Sequence, residues 1–253
     1  MDLTLLDQIL DTLQEGQIAD VLIGHHWTAV VAQVAGKRRC GLASTAGGDH
    51  YHHGEPDVPA AGRLHELPAH ELAALAYSEQ TTLAGVGLAT TNALLPPQPQ
   101  RWVTLNAEEV IATRGAGKKV ALIGHFPFVS RLHRRVGELS VLEQHPRPGD
   151  LPASAAPAVL AEADVVALTS MTIHNHTLPD LLHLCLPQAL VILLGPSTPL
   201  SPVLFDFGVD ILCGSLVTDI EPVLRVAGQG GNFRQIHRAG VRTVTMVRSN
   251  MPA

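Results

Sequence analysis

The chain has 253 residues, of which 46% are hydrophobic and 16% are charged, so it has enough apolar material for a packed core and is not an intrinsically disordered chain. Its formal net charge of −6 is unlike that of nucleic-acid-binding proteins, which usually carry a basic stripe, and we expect no nucleic-acid partner. The three cysteines form no C-x-x-C pair, which disfavours a cysteine zinc site or a disulfide framework.

Residues 1–95 have the pattern of an α+β domain. Leucine and isoleucine recur at helical spacing over 2–15, which predicts an amphipathic helix rather than a signal peptide. Since no uncharged apolar run approaches the roughly 18 residues that span a bilayer, we expect a cytoplasmic protein with no membrane partner. Two strand-like runs meet at Gly36-Lys37, which indicates a hairpin, and two helical stretches close the segment.

The loop at 45–66 contains the highest density of histidines in the chain. Its His50–His53 segment lies among glycines and acids and includes three imidazoles that are competent transition-metal ligands. A flexible, solvated loop explains the same composition, so the sequence leaves both interpretations open.

Three prolines within four positions, in the run LLPPQPQRW, forbid a helix and predict a proline-rich linker over 96–105. Strand-like and helical runs then alternate through 106–253, which is typical of a parallel sheet covered on both faces. The predicted strands lie at 119–123, 139–143, 164–168, 189–194, 209–212 and 241–247. The predicted fold class is therefore α/β, with an α+β domain followed by a doubly wound parallel-sheet domain.

The turn after the first of these strands, in VALIGHFPFV, breaks the dinucleotide-binding pattern G-x-G-x-x-G. Gly124 is followed by His125 and Phe126, where glycines would let the backbone approach a pyrophosphate, so we expect no tight NAD binding. His125 is a candidate metal ligand, proton donor or aromatic wall of the site. The alternative is that its ring does no more than form hydrogen bonds with carbonyl groups of the loop. Glu143 ends the second strand and could pair with His125 to suit a cation or an amine, or it could be a solvated strand-end acid.

In the segment HNHT, His174 and His176 stand two residues apart. Two such side chains face the same way if the backbone is extended, and two imidazoles make half of a transition-metal site. A polar, exposed loop explains the pair equally well.

Three segments, in this order along the chain, resemble the family described as "putative heavy-metal chelation". They are GLATTNALL at 87–95, TIHNHTLPDLL at 172–182 and GPSTPLSPVLFDFGVD at 195–210. The resemblance implies an enolase N-terminal-like domain followed by a Rossmann-like domain, and a metal or metal-containing ligand in the cleft between them. The matching site positions are Asn92, Thr172, Asn175, Thr177, Gly195, Pro196 and Ser197. The chain departs from the family pattern at His174 and His176, so a metal role for them would be specific to this chain.

The resulting hypothesis is a protein that binds a transition metal, or a small anionic metal-chelating ligand, in the interdomain cleft. The candidate cleft residues are those seven together with Gly124, His125, Phe126 and Glu143, and the candidate metal ligands are His125, Glu143, His174 and His176. One alternative is a small-metabolite enzyme that uses a nucleotide-type cofactor such as S-adenosylmethionine or NAD, and another is a ligand sensor or scaffold without turnover. The sequence leaves open whether there is turnover and whether the chain forms a homo-oligomer.

Overall fold

The structure is a computed structural model that describes residues 4–46 and 56–249. The described residues form two separate sheets, one of three strands and one of eight. The candidate metal loop at His50–His53 lies outside the described residues. No helix in the described ranges is long and apolar enough to cross a membrane.

The first half of the chain, up to Leu95, combines the three-stranded antiparallel sheet with helices. Its elements are α1 (Thr4–Leu10), β1 (Gln17–Ile23), β2 (Trp27–Val34), β3 (Lys37–Ser44), α2 (Ala69–Ala74) and α3 (Thr81–Leu94). The hairpin turn between β2 and β3 consists of Ala35 and Gly36, one residue earlier than predicted, because Val34 already pairs with Lys37. Both turn residues have positive φ, 47° and 76°, as two-residue hairpin turns require.

Helix α3 lies directly on β3, and small residues make this contact possible. A Cβ atom added to Gly41 of β3 would lie 2.0 Å from the carbonyl oxygen of Ala89, so no side chain fits between strand and helix. Most of α3 is buried because its other sides pack against α2 and the turn that follows α2, and to a smaller extent against the second half of the chain. Helix α3 therefore contacts both the small sheet and the second half of the chain.

The second half of the chain, from Pro96 onward, forms the eight-stranded sheet. Its strands are β4 (Trp102–Val103), β5 (Lys119–Ile123), β6 (Glu138–Glu143), β7 (Leu151–Pro152), β8 (Val165–Thr169), β9 (Leu190–Leu194), β10 (Ile211–Val217) and β11 (Val241–Val247). Its helices are α4 (Ala107–Arg114), α5 (Val129–Leu132), α6 (Ala156–Leu160), α7 (Met171–His174), α8 (Leu178–Leu184), α9 (Val203–Asp206), α10 (Ile220–Gly228) and α11 (Phe233–Ala239).

The strand order is β4-β11-β10-β9-β8-β5-β6-β7, and the strands from β10 to β7 run parallel. The predicted fold class is confirmed: the chain is a mixed α/β protein with a small antiparallel sheet followed by a mostly parallel one. One predicted detail is wrong, since β11 runs antiparallel to β10. Two helices that pack on each other, α10 and α11, lie between these strands in the chain. The chain therefore enters β11 at the same end of the sheet at which it leaves β10.

The segment predicted as a linker is partly structured. Helix α3 ends at Leu94, before the prolines, but Trp102–Val103 forms β4, which pairs with β11 at the edge of the large sheet. Two residues of the predicted linker are therefore part of the large sheet. The domain boundaries at 95 and 106 stay a prediction.

Apolar clusters join the two halves of the chain. One cluster includes Leu5 and Ile9 of α1 together with Leu204 and Phe205 of α9. Another packs β2 and β3 against α10 and α11, and there the Trp27 indole nitrogen donates a 2.9 Å hydrogen bond to a backbone carbonyl of the second half. The halves therefore meet through buried apolar contacts, which fix the walls of any site between them.

Candidate functional site

The order of the parallel strands marks one place on the sheet as the expected ligand site. Strands β6 and β5 lie on one side and β8, β9 and β10 on the other, so the direction in which the chain adds strands reverses between β5 and β8. In open α/β sheets, ligands bind outside the carboxyl ends of the strands at such a reversal. The loops that begin at Gly124 and at Ser170 leave the sheet at this point.

A cavity of about 730 Å³ lies at this reversal. The ends of β5, β6 and β8 and the loops that follow them supply most of its lining, and Ala46 and Thr81 contribute from the first half of the chain. Among the predicted site residues, the cavity is lined by Gly124, His125, Phe126, Glu143, Thr172, Asn175 and Thr177. Their roles in binding stay predictions, but the fold does bring these seven together.

The His125 side chain is held by a buried carboxylate. Its Nδ1 lies 3.1 Å from Oδ2 of Asp150, whose side chain is only 5% exposed and also accepts the backbone N–H of Arg147. Because a carboxylate oxygen accepts, this contact selects the neutral tautomer with the proton on Nδ1 and the lone pair on Nε2. No hydrogen bond to Nε2 comes from any residue in the described ranges. This imidazole is therefore oriented, with one nitrogen able to bind a ligand.

Glu143 is connected to the same turn. Its Oε1 accepts the backbone N–H of His125 at 2.7 Å, which ties the carboxyl end of β6 to the loop after β5. Gly124, with φ of 105°, allows this turn, and a Cβ atom at that position would approach Thr169 to 3.0 Å. One carboxylate oxygen of Glu143 remains for a ligand.

The charge of the cavity wall favours a positively charged ligand. Glu143 is the only acid among the described lining residues, and no lysine or arginine is among them. The histidines of the wall are His125 and His145. A cation entering the cavity therefore meets a carboxylate, whereas a phosphate or a carboxylate meets no fixed positive charge.

The wall formed after β8 is polar and internally bonded. Thr172 donates its hydroxyl to the carbonyl of Thr169 at 2.7 Å, and Thr177 donates its hydroxyl to Oδ1 of Asn175 at 2.7 Å. The amide nitrogen of Asn175 is thereby oriented as a donor on the cavity wall. Met171, in the same loop, adds a thioether.

The other predicted cleft residues lie between the two halves of the chain but outside this cavity. Asn92 donates to the carbonyls of Leu42 at 2.9 Å and Ser197 at 3.1 Å, and the Ser197 hydroxyl accepts the backbone N–H of Ser44 at 2.8 Å. These bonds join β3 and α3 to the loop after β9, which also contains Gly195 and Pro196. The contacts are structural, and a binding role for these four residues stays a prediction.

His174 and His176 do not face the same way, because α7 is helical rather than extended up to His174. His176 donates from Nε2 to the carbonyl of Ala76 at 2.8 Å, a further bond between the halves. His174 is 1% exposed and lies against Gly85 of α3. Neither histidine lines the cavity. Across the described ranges there is no group of three or more His, Cys, Asp or Glu residues that could hold a metal ion.

The His174 ring is almost fully buried, and the Thr81 backbone approaches it without a hydrogen bond of normal geometry. Neither ring nitrogen has a partner among the described atoms. Burial lowers the pKa of His174 from 6.5 to about 4, and nearby His176 adds to this effect, while the backbone of Thr81 opposes it. His174 is therefore a neutral packing residue between α7 and α3.

Sequence reasoning missed Asp150, the partner of His125. The loop EQHPRPGD was expected at the correct edge of the sheet, but nothing in its pattern singled out its last acid. An acid that closes a proline- and glycine-rich loop immediately before a short edge strand was the available signal.

Comparisons with known proteins agree with the resemblance found in the sequence. The family model DUF364, described as "putative heavy-metal chelation", matches residues 106–246. The chain belongs to the DUF364 family. A second family model with the same description, DUF4213, matches residues 6–95.

Solved structures of DUF364 proteins have the same fold. A protein of unknown function from Desulfitobacterium hafniense is 26% identical, with a TM-score of 0.78 over 97% of this chain and 98% of that one. A protein of unknown function from Pyrococcus horikoshii is 21% identical, with a TM-score of 0.78 over 96% of this chain and 98% of that one. No curated protein matches the chain.

Proposed function

We propose that this DUF364 protein binds a metal cation that is already held by a small chelating molecule, in the cavity at the carboxyl ends of β5, β6 and β8. The observation that carries the proposal is the pair formed by His125 and Asp150. A carboxylate that accepts from one imidazole nitrogen fixes the tautomer and raises the basicity of the other nitrogen, which is the usual arrangement behind metal-binding histidines.

The donor set supports a chelated metal rather than a bare ion. In the described part of the chain the cavity offers the free Nε2 of the oriented His125 imidazole, the imidazole of the more exposed His145, and one carboxylate oxygen of Glu143 that the turn does not engage. Transition metals in proteins usually have at least about four ligands, so the remaining positions would be filled by the chelator or by water. The cavity volume of about 730 Å³ also lies within the range of roughly 300–1,000 Å³ that is usual for small-molecule sites.

The charge of the wall supports a cationic complex. Glu143 has no lysine or arginine beside it in the described lining, so the anionic chelator in the sequence-based hypothesis receives less support than a complex with net positive charge. The family description of heavy-metal chelation supports a ligand that contains a metal.

The experiment has two parts. Elemental analysis of protein purified without an affinity tag identifies a retained metal, and calorimetry with Zn²⁺ and Ni²⁺ measures affinity. We expect His125→Ala to weaken binding about tenfold or more, and Asp150→Asn to weaken it by a factor within the roughly 10- to 100-fold range typical of such partners. His183→Ala, which removes an exposed histidine from α8, is the control and should bind as the wild type does. Binding that survives His125→Ala but is lost when His50, His52 and His53 are replaced by Ala would move the site to the histidine-rich loop.

A nucleotide-type cofactor is the second candidate. Glu143 ends the second parallel strand, where an acid binds ribose hydroxyls in dinucleotide sites, and the cavity lies at the strand-order reversal. Against it, Glu143 already accepts the His125 N–H, and the described lining contains no lysine or arginine to meet a diphosphate. Thermal-shift measurements with NAD, NADP and S-adenosylmethionine separate the candidates. We expect no shift with the two dinucleotides.

A further inference from the structure

We infer that the chelator in this site is a flat aromatic molecule whose rings stack on Phe126. The inference rests on the proposed function, since it specifies the class of ligand that accompanies the metal. It is carried by Phe126 on the cavity wall, which stacks on Phe128 behind it, by the position of Phe126 beside His125, and by the apolar side chains that share the lining.

Phe126 is held in one orientation by its neighbour. Its ring and that of Phe128 are stacked, with centroids 5.2 Å apart and an interplanar angle of 4°. Both rings also pack against the cluster that contains Val129 and Leu132, so the pair is anchored to the core. Phe126 is half-buried and lines the cavity, and the face of its ring that Phe128 leaves uncovered is the one on which a ligand would stack. A fixed aromatic surface of this kind favours a parallel, offset ring.

The metal donor and the aromatic surface belong to the same turn. His125 and Phe126 are consecutive, so a chelate whose metal is bound by His125 has its organic part within reach of Phe126. A chelate with net positive charge gains further from the negative face of the phenyl ring. This matches the charge of the wall, in which Glu143 is the only acid among the described lining residues.

The rest of the lining suits an apolar ring better than a polyol or a hydrated ion. Ala153, Ala156 and Leu181 contribute apolar side chains from the segments around α6 and α8, and Ile123 and Leu142 contribute from the strand ends. Aromatic surface buried against such side chains leaves water, at a gain of roughly 25 cal/mol for each Å².

The test compares three probes by calorimetry: free Zn²⁺, the planar cationic complex of Zn²⁺ with terpyridine, and the non-planar anionic complex of Zn²⁺ with nitrilotriacetate. We expect the terpyridine complex to bind more tightly than the nitrilotriacetate complex. Phe126→Leu keeps an apolar side chain but removes the stacking surface, and it should weaken the terpyridine complex by about three- to tenfold while leaving free Zn²⁺ unchanged. Phe126→Tyr keeps the ring and should retain the preference, and Phe233→Leu, at an exposed aromatic residue of α11, is the matched control.

The outcomes separate this inference from the proposed function. If free Zn²⁺ binds through His125 but the two complexes bind equally, or if Phe126→Leu affects neither, the flat chelator is wrong and the metal site stands. If no probe binds, or if His125→Ala binds every probe as the wild type does, the proposed function itself fails. Circular dichroism verifies the fold of Phe126→Leu, and if that variant unfolds, the probe comparison in the wild type and in Phe126→Tyr decides the question.

Discussion

The burial of His174 predicts that the protein loses stability in mild acid, and that one substitution abolishes part of this loss. The ring is 1% exposed between α7 and α3, and its nitrogens have no hydrogen-bond partner among the described atoms. Protonating it in the folded chain would place a charge in this contact. The substitution that tests this is His174→Leu, which replaces the titrating ring with an apolar side chain of similar size.

The sign and the magnitude follow from the two pKa values. In the unfolded chain His174 binds a proton near its ordinary pKa of 6.5, whereas in the folded chain burial lowers the pKa to about 4. Between these two values the unfolded state holds more protons, so the free energy of unfolding falls as the pH falls from 6.5 to 4. At about 1.36 kcal/mol for each pH unit, the full effect is about 3 kcal/mol. Above pH 6.5 the effect is absent.

Urea denaturation, followed by circular dichroism from neutral pH to about pH 4.5, measures the effect. The difference in unfolding free energy between His174→Leu and the wild type should grow steadily in favour of the variant as the pH falls, while other titrating groups cancel in the comparison. Near neutral pH the variant should be at least as stable as the wild type, because it no longer buries two unpaired nitrogens. His183→Leu, at an exposed histidine, controls for the loss of a histidine as such. A difference that does not change with pH would refute the argument, since it would mean that His174 titrates alike in both states.

Three further predictions concern how the halves and loops are held. Gly195→Ala should lower the free energy of unfolding by about 2 kcal/mol or more, because φ is 142° and the new Cβ would lie 2.2 Å from a buried serine hydroxyl. Gly208→Ala, with φ of 95° and no atom within 4 Å, isolates the backbone part and should cost about 1 kcal/mol in the same urea titration. Asn92→Asp should lower the free energy of unfolding by at least about 2 kcal/mol, since it removes an amide that donates to two carbonyls and places a carboxylate beside them. A loss below roughly 0.5 kcal/mol in the same urea titration would contradict this. A protease cut within 96–101 should leave two fragments that co-elute in gel filtration until urea is added, because buried apolar clusters join them. Separate elution in buffer would show that these clusters do not hold the halves together.

Most of the large sheet could be predicted because its strands are continuous apolar runs. The predicted strands 119–123 and 241–247 coincide with β5 and β11. Those at 139–143 and 189–194 differ from β6 and β9 by one residue at the start, and the one at 164–168 is shifted by one residue from β8. The prediction at 209–212 covered only the start of β10, since Gly214 and Ser215 interrupt the apolar run although the strand continues to Val217. Backbone pairing with β11 extends β10 there, and such pairing has no signature within the strand itself.

The direction of β11 and the existence of β4 depend on long-range contacts. The segment that forms α11 carries a capping box at Asn232 and Gln235, which marks a second helix after α10, but the pattern of alternation alone assigns one helix to each connection. Likewise, Trp102 and Val103 follow a proline-rich run that predicts a linker, and only their pairing with β11 makes them a strand.

The candidate site divides in the same way. Residues at strand ends, such as His125 and Glu143, could be predicted together because parallel strands bring their carboxyl ends to one edge of the sheet. The pairing of His174 with His176 could not be judged, because it depends on whether three or four residues are helical or extended. Asp150 could not be singled out, because its position depends on how a loop of two prolines and a glycine folds back onto the turn after β5.

The histidine that the proposed function requires is held by bonds that also stabilise the turn around it. Glu143 accepts the His125 N–H, Asp150 accepts both from the imidazole and from the backbone of its own loop, and the loops after β5 and β6 thereby fix each other. A histidine that only satisfied loop carbonyls would need no buried carboxylate on Nδ1, because a carbonyl or water partner at lower cost would serve. The Asp150 side chain is only 5% exposed, so burying its carboxylate carries a desolvation cost. A role in orienting the imidazole, with Nε2 free at the cavity, gives a reason for this burial. The first half of the chain is part of the same arrangement, since Ala46 and Thr81 line the cavity and α3 contacts α7 beside it. Both halves of the chain therefore line the cavity, and the two family models that match these halves carry the same description.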